Sequence, residues 1–359
     1  MKHIAYIRDR RDEGIYAGNL ARGCTQCVRG AKMVLFVTGV CDMGCFYCPV
    51  SFHRANKDVV YANERQVFSD EDIIDEAERM GALGTGITGG DPLIVPQRTA
   101  HYISLLKEHF GSGHHIHLYT GRPNIEALPL LSDAGLDELR IHPPEAIWSR
   151  FHGTVFEKMI QKARTLNMRV GIEVPVLPGM LEELSALITS AAQAGAQFAN
   201  LNELEMSESN AEELRKRGYV TVDDGTNAVE GSREVAEKIM RRSFSIPVHY
   251  CPSRFKDAVQ LRERLKRTAK RIRWAGEIAT DDGTLLKGVV EECDPELVIE
   301  HVRRLGVPST YYRIEGKRVE IAPWILEEIA SELPGSCYIV EEYPTAAPVE
   351  VERRLLTRR

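Results

Sequence analysis

The chain has 359 residues, of which 43% are hydrophobic and 27% are charged, a composition typical of a folded globular protein. It contains no run of about 18 apolar residues, which excludes a membrane-spanning helix. Its first residues also lack the apolar core of a signal peptide. We therefore expect a cytoplasmic protein with no membrane partner. Eight cysteines without an export signal favour metal binding or catalysis over a disulfide framework.

The charge is unevenly distributed along the chain. The net charge is −6, yet positions 254–273 hold nine Lys or Arg against two acidic residues, so that segment carries +7 and the remainder −13. Basic helices commonly form a solvated face. The helix dipole favours cations only in the last turn, by about 0.3–1 kcal/mol, which does not account for the whole cluster. The segment therefore also predicts a salt-dependent contact with RNA.

Strand-like and helix-like segments alternate from residue 31 onward. The first strand is predicted at 33–38, a continuous apolar run typical of a strand buried on both faces. A helix is predicted at 69–82, where Ser69 precedes an acidic first turn. Six strand–helix units of about 30 residues predict an α/β fold with a parallel sheet, as a β/α barrel or part of one. The other strands are predicted at 85–88, 115–120, 138–142, 169–176 and 198–201, and the other helices at 96–110, 124–134, 155–166 and 181–194.

The pattern changes in the last third of the chain. Positions 248–251 predict one more strand or an edge strand, and 254–274 predict a long helix. A hairpin at 277–291, a strand pair around 315–316 and a helix at 324–332 follow, which indicates a small α+β domain. The predicted organisation is an N-terminal extension (1–30), a partial (β/α)6 barrel (31–252), a basic helix (253–275) and a C-terminal α+β domain (276–359).

Three cysteines lie on one short loop directly after the first predicted strand. Cys41, Cys45 and Cys48 have the spacing C-x3-C-x2-C. A loop at the carboxyl end of a barrel strand is where such folds place their chemistry. Three thiolates suit an iron–sulfur cluster or a soft divalent metal, and three ligands leave one position for a group from outside the protein. The alternative is a zinc knuckle or unrelated thiols.

The cysteine loop resembles that of the radical SAM enzymes, whose hallmark is C-x3-C-x-aromatic-C with Tyr47 in the aromatic place. The resemblance covers residues 31–250. It implies a [4Fe-4S] cluster whose open iron binds the amino and carboxylate groups of S-adenosylmethionine (SAM). It also implies one-electron reduction by a donor such as ferredoxin or flavodoxin, and cleavage of SAM to a 5′-deoxyadenosyl radical.

A second family feature follows the second predicted strand. The chain has Gly89, Gly90, Asp91 and Pro92 where the family has Gly-Gly-Glu-Pro, whose backbone and carboxylate meet the amino group of SAM. The resemblance implies that Gly89, Gly90 and Asp91 help Tyr47 to seat SAM, with a carboxylate one methylene shorter. The alternative is a plain glycine-rich turn. The overlapping G-x-G-x-x-G at 84–89 runs through a strand, which argues against a dinucleotide site.

Other family contacts come from strand ends, where the match is looser. The resemblance implies that Thr120 and Glu173, and also Arg140 and His142, touch the ribose, the sulfonium or the substrate. A core or salt-bridge role is the alternative for each of them. His115 and His117 predict barrel filling rather than a metal site. Further candidates at the sixth strand are Asn200, Asn202 and Glu203.

A second group of metal-ligand residues flanks the predicted barrel. Cys24 and Cys27 precede it, and His249 and Cys251 follow its last strand. If the first and last strands are neighbours, these residues meet as a Cys3His set, which suits structural zinc. A second iron–sulfur cluster and unlinked buried thiols are the alternatives. Cys293 and Cys337 have no partner pattern and are predicted to be packed thiols.

Within the superfamily, the chain resembles archaeal-type proteins related to the pyruvate formate-lyase activating enzyme. The likeness runs from the Gly23–Cys27 stretch through Pro92 and includes residues 249–257. It implies a radical SAM enzyme that modifies a protein glycine or side chain, or an RNA base. The alternative is a non-catalytic iron–sulfur or zinc protein with a degenerate SAM site, and cleavage of SAM by the reduced protein would separate the two.

Overall fold

The computed structural model describes residues 7–10 and 14–357. The chain divides into two compact units, residues 1–78 with 82–261 and residues 79–81 with 262–359. The division falls inside the segment predicted as one basic helix. None of the described helices combines the length and hydropathy needed to cross a membrane.

The first unit is built on an eleven-stranded sheet, in which seven neighbouring strands run parallel. This confirms the α/β partial-barrel prediction, and the segment at 248–251, predicted as one more strand or an edge strand, is the seventh parallel strand. The strands in chain order are β1 (Ile7–Arg10), β2 (Gly14–Ala17), β3 (Lys32–Phe36), β4 (Tyr61–Ala62), β5 (Arg65–Gln66), β6 (Gly84–Thr88), β7 (His115–Thr120), β8 (Glu138–Ile141), β9 (Arg169–Val176), β10 (Ala199–Glu203) and β11 (Val248–Cys251). Their order across the sheet is β1-β2-β11-β10-β9-β8-β7-β6-β3-β4-β5.

The sheet is open, and its first and last parallel strands are not neighbours. β3 pairs with β6 and β4, whereas β11 pairs with β10 and β2. The expectation that the two ends of the barrel meet was therefore wrong. Each edge of the parallel set is instead covered by an antiparallel hairpin, β1–β2 on one side and β4–β5 on the other, which satisfies the backbone groups of the edge strands.

The helices connect the strands with caps that the sequence supplies. α2 has Asp70, Glu71 and Asp72 in its first turn, where negative charge favours the helix. α3 begins at a proline and ends at Gly111, which has φ +79°, a conformation that glycine adopts readily. A π-helical turn over 256–261 interrupts the long helix predicted at 254–274. The helices are α1 (Arg22–Val28), α2 (Asp70–Arg79), α3 (Pro96–Phe110), α4 (Leu128–Asp133), α5 (Val155–Thr165), α6 (Leu181–Ala194), α7 (Ala211–Lys216), α8 (Ser232–Met240) and α9 (Ser253–Phe255).

The second unit is a separate antiparallel sheet with helices, as predicted for an α+β domain. The order across the sheet is β14-β15-β13-β16-β17, with β12 paired to β13. Val290, Val298, Val319 and Leu326 lie in a buried cluster where α11 and α12 cover one face of the sheet. The elements are α10 (Arg262–Ile272), β12 (Ile278–Ala279), β13 (Leu285–Glu291), α11 (Pro295–Arg304), β14 (Tyr312–Glu315), β15 (Arg318–Ile321), α12 (Pro323–Ile329), β16 (Ser336–Glu342) and β17 (Glu350–Thr357).

Candidate active site

The three-cysteine loop lies directly after β3, at the carboxyl end of the parallel strands. Cys41 and Cys45 are half-buried and Cys48 is exposed, and all three are free thiols. Burial raises the pKa of Cys41, and raises that of Cys45 to about 11. Three accessible thiols on one loop fit the donor set of a cluster, and a bound metal would draw the protons from them.

The loop after β6 packs directly on the backbone that enters the cysteine loop. The amide of Gly90 donates to the carbonyl of Thr38 at 2.6 Å, and the amide of Asp91 donates to that of Val40 at 3.0 Å. A Cβ atom on Gly90 would lie 2.2 Å from the Val40 carbonyl, and one on Gly89 would lie 2.5 Å from that of Thr38. Glycine is therefore required here because two backbones touch. The packing holds the two elements predicted to seat SAM side by side.

The carboxylate of Asp91 is buried and organises the loop that follows β7. It accepts hydrogen bonds from the hydroxyl of Thr120 at 2.9 Å and from the amides of Leu93, Gly121 and Arg122 at 2.8, 2.8 and 3.0 Å. Burial raises its pKa, and these donors oppose that rise. Asp91 and Thr120 thus have a positioning role that the sequence did not reveal. Their contact with SAM stays a prediction.

Tyr47 ties the cysteine loop to the ends of β8 and β9. Its hydroxyl lies 2.9 Å from Nε2 of His142, whose Nδ1 lies 2.8 Å from the carbonyl of Glu173. Because a carbonyl only accepts, Nδ1 carries the proton and Nε2 accepts from Tyr47. Burial lowers the pKa of His142, which keeps the ring neutral. Asn210, which no sequence signal indicated, donates to the carbonyl of Tyr47 at 3.0 Å.

A cavity of about 300 Å³ lies within the first unit. Its wall includes Thr88, which directly precedes Gly89, so the cavity borders the glycine loop. Side chains from β7 to β11, from α1 and from the segment after β11 complete the wall. This arrangement places a space for a substrate beside the residues predicted to hold SAM.

An ion-pair network forms the polar wall of this cavity. The guanidinium of Arg140, 2% exposed, donates to Glu173 at 2.7 Å, to Glu138 at 2.6 and 2.8 Å and to the hydroxyl of Tyr119 at 3.0 Å. Glu173 also accepts from Asn200 at 2.8 Å. Burial alone would raise the pKa of Glu173, but Arg140 and the neighbouring amides lower it, so the carboxylate is charged. Arg140 and Glu173 thus form a salt bridge, and the contact of Glu173 with SAM stays a prediction.

The remaining strand-end candidates also have partners within the chain. Asn202 donates to Glu173 at 3.0 Å, and Glu203 accepts from the amide of Ser253 at 2.7 Å. His115 and His117 are buried, as expected for barrel filling. Burial lowers the pKa of His115 to about 2.

The second group of predicted ligands lies on one wall of the same cavity. Cys24 and Cys27 reach it from α1, and His249 and Cys251 reach it from β11. They meet although β3 and β11 are not neighbours, because α1 packs against the sheet. The packing is close at Gly23 of α1, where a Cβ atom would lie 2.3 Å from Nδ1 of His117 on β7. That these four residues bind a metal together stays a prediction.

Comparison with known proteins places these features in a family. The radical SAM superfamily matches residues 35–184, and a domain of unknown function, DUF8061, matches residues 283–356. A protein of Methanocaldococcus jannaschii named "Putative glycyl-radical enzyme activating enzyme MJ0021" is 40% identical over 347 residues, which cover 93% of this chain and 92% of that protein.

Two solved structures are similar to part of this chain. SuiB of Streptococcus suis, bound to S-adenosylmethionine, is 12% identical with a TM-score of 0.41, and the match covers 62% of this chain and 50% of that one. Methylornithine synthase (PylB) is 13% identical with a TM-score of 0.40, covering 60% and 66%. The family assignment depends on the superfamily match and the M. jannaschii relative: the chain belongs to the radical SAM superfamily and is an enzyme of that superfamily.

Proposed function

We propose that this enzyme activates a partner protein by taking a hydrogen atom from one of its glycines. The observation that carries the proposal is the 40% identity over 347 residues to a relative whose name assigns it to glycyl-radical enzyme activation. That likeness spans 93% of the chain, which is more than the superfamily match alone covers. A protein glycine is thereby favoured over the other substrates that the sequence left open.

The chemistry would come from the cofactors of the family, a [4Fe-4S] cluster and SAM, which the chain would hold. A bound [4Fe-4S] cluster would supply the electron for reductive cleavage of SAM to methionine and a 5′-deoxyadenosyl radical, which would take a hydrogen atom from the substrate. Cys41, Cys45 and Cys48 would hold the cluster, and the backbone at Gly89 and Gly90 would face SAM. The products are 5′-deoxyadenosine and a glycine radical, and the electron comes from a donor such as ferredoxin or flavodoxin.

The cavity suits a peptide segment. Asn200 is 2% exposed, and its amide nitrogen donates to Glu173 and to the thiol of Cys24. Its Oδ1 atom has no hydrogen-bond partner within the described part of the chain. A buried acceptor of this kind is costly unless a ligand donates to it. A peptide N–H that enters beside Thr88 is such a donor.

An RNA base is the second candidate, because α10 and its flanks are basic. Lys270, Arg271 and Arg273 are exposed. Arg267, in contrast, donates to the carbonyl of Gly81, and Lys266 lies 3.4 Å from Glu263. Part of the basic cluster is therefore used within the second unit, which leaves fewer cations for phosphates than the sequence indicated.

The proposal is tested by comparing a strain with the gene and a strain without it. Proteins and modified nucleosides are analysed in both strains, and the deletion is complemented with wild type, Cys41→Ala or Cys293→Ser. We expect a glycine-centred radical, seen by electron paramagnetic resonance in anaerobic extract, with wild type and Cys293→Ser only. Cys293 is a fair control because its thiol makes one hydrogen bond among the described residues, to the carbonyl of Pro334 at 3.5 Å, and a serine hydroxyl can donate the same bond. A changed nucleoside with no protein radical would refute the proposal.

A further inference from the structure

Three thiols line the cavity although the SAM chemistry uses none of them. Cys24 and Cys27 come from α1, and Cys251 comes from the end of β11, more than 220 positions later. His249 lies two residues before Cys251 on the same strand, so both side chains lie on one face. All three thiols are free. A buried cysteine in a core is usually a lone small apolar group, whereas three thiols and an imidazole on one wall form a ligand set.

The sulfur of Cys24 is surrounded by buried hydrogen-bond donors. Its Sγ atom accepts a hydrogen bond from Nδ2 of Asn200 at 3.3 Å and from the guanidinium of Arg140 at 3.6 Å. Both donors are 2% exposed. Hydrogen bonds from buried donors, one of them a cation, stabilise a metal-bound thiolate.

Lys32 adds a buried amine close to the thiols, and burial lowers its pKa to about 7. Its ammonium group contacts Oε1 of Gln26 at 3.3 Å, and Nδ1 and the carbonyl of His115 at 2.9 and 3.1 Å. All of these acceptors are uncharged, and no described carboxylate lies within 4 Å of it. The side chain is 2% exposed, and an unpaired buried charge is strongly destabilising. Gln26 precedes Cys27 on α1, and a thiolate at Cys27 would favour the charged form of Lys32.

We propose that Cys24, Cys27 and Cys251 bind a second metal centre inside the first unit, with His249 as its fourth ligand. The donor set of three sulfurs and one nitrogen selects a thiophilic metal, either zinc or the iron of a second iron–sulfur cluster. Among the described residues no three His, Cys, Asp or Glu side chains are placed to hold a metal ion, and this includes Cys41, Cys45 and Cys48. In both sets, metal binding has to draw the side chains together.

The test is metal analysis of anaerobically purified protein in which Cys41, Cys45 and Cys48 are all replaced by Ala. The proposal predicts that this variant retains about one zinc, or iron with the absorbance of a cluster. Adding Cys24→Ser, Cys27→Ser and Cys251→Ser should remove that metal, whereas adding Cys293→Ser should not. Retained zinc would indicate a zinc site, and retained iron would indicate a second iron–sulfur cluster. A metal-free first variant, or metal that survives the serine substitutions, would overturn the proposal.

A measurement on the wild-type protein covers the case in which these variants do not fold. The proposal predicts metal in excess of one [4Fe-4S] cluster per chain. X-ray absorption at the edge of the additional metal should show about three sulfur neighbours, at about 2.3 Å if the metal is zinc. Iron for one cluster only, with no zinc, would refute the second centre. The readout is metal content, so a failure of glycine activation leaves this test unaffected.

Discussion

The carboxylate of Asp91 accepts a hydrogen bond from the hydroxyl of Thr120 at 2.9 Å, and this contact joins the loop after β6 to the end of β7. The same carboxylate accepts from the amides of Gly121 and Arg122. Since Gly90 and Asp91 also bond to the backbone that leads into the cysteine loop, one residue fixes three loops around the predicted SAM site.

Replacement of Asp91 by Asn should weaken SAM binding and leave the cluster intact. The Asn side chain would point an N–H group at backbone amides that now donate hydrogen bonds to the carboxylate. It would also lose a charged hydrogen bond, and one such bond contributes about 1.5–3 kcal/mol. We expect the dissociation constant of SAM to rise about tenfold or more, measured by anaerobic calorimetry alongside iron content.

Asp137→Asn is the matched control for this prediction. Asp137 also accepts a hydrogen bond from a backbone amide of β7, that of Ile116 at 2.7 Å. This contact lies at the beginning of the strand, away from the predicted SAM site. Its replacement should lower stability without altering the affinity for SAM. Unchanged SAM affinity in Asp91→Asn would remove Asp91 from the binding site.

The sequence predicted the local elements well because their hydrophobic pattern is regular. Strands at 115–120, 169–176 and 248–251 and helices at 96–110 and 181–194 have the predicted bounds. The edge hairpins were missed, since β4 and β5 have two residues each and β1–β2 has no apolar run. Contacts between residues far apart in the sequence could not be predicted either. Nothing local shows that Asp91 anchors Gly121, or that Asn210 reaches the carbonyl of Tyr47.

Tyr47→Phe should destabilise the protein while the cluster is retained. The change removes the donor to Nε2 of His142 and leaves a buried acceptor without its partner, which costs about 1–3 kcal/mol. Anaerobic urea unfolding measures this loss. Tyr219→Phe is the control, because the Tyr219 ring stacks on Phe46 while its hydroxyl makes no hydrogen bond to another described residue. Equal stability of Tyr47→Phe and wild type would contradict the role given to the hydroxyl.

Asp58 should stabilise the start of the cysteine loop in a pH-dependent way. It accepts from Arg98 at 2.8 Å and from Thr38 at 3.0 Å, and the hydrogen bonds from Arg98 lower its pKa from 3.8 to about 2. Because the folded pKa lies below the unfolded value, the stabilisation is complete above about pH 4 and is lost as the pH falls towards about 2. The side chain is half exposed, so the contribution is at most about 1 kcal/mol.

The measurement is the difference in unfolding free energy between wild type and Asp58→Asn in the iron-free chain. We expect this difference to be constant from about pH 7 to pH 5 and to shrink below about pH 4. A difference that grows in acid would show that Asp58 is not held ionised by Arg98.

Measuring RNA binding by the basic segment around α10 distinguishes an RNA substrate from a protein substrate. If RNA is the substrate, replacing the exposed Lys270, Arg271 and Arg273 by Gln should flatten the slope of log affinity against log salt by about 2–3. A protein substrate predicts no RNA binding by wild type near about 50 mM salt, measured by fluorescence anisotropy. RNA binding with a slope that these substitutions flatten would contradict glycine activation.

The central claim is that Cys41, Cys45 and Cys48 hold the cluster at which SAM is cleaved. The most direct measurement is the amount of 5′-deoxyadenosine and methionine formed when reconstituted protein is reduced in the presence of SAM. We expect wild type and Cys293→Ser to form both products in equal amounts, and the variant with Ala at all three positions to form neither. Continued cleavage of SAM by the triple variant would contradict the account.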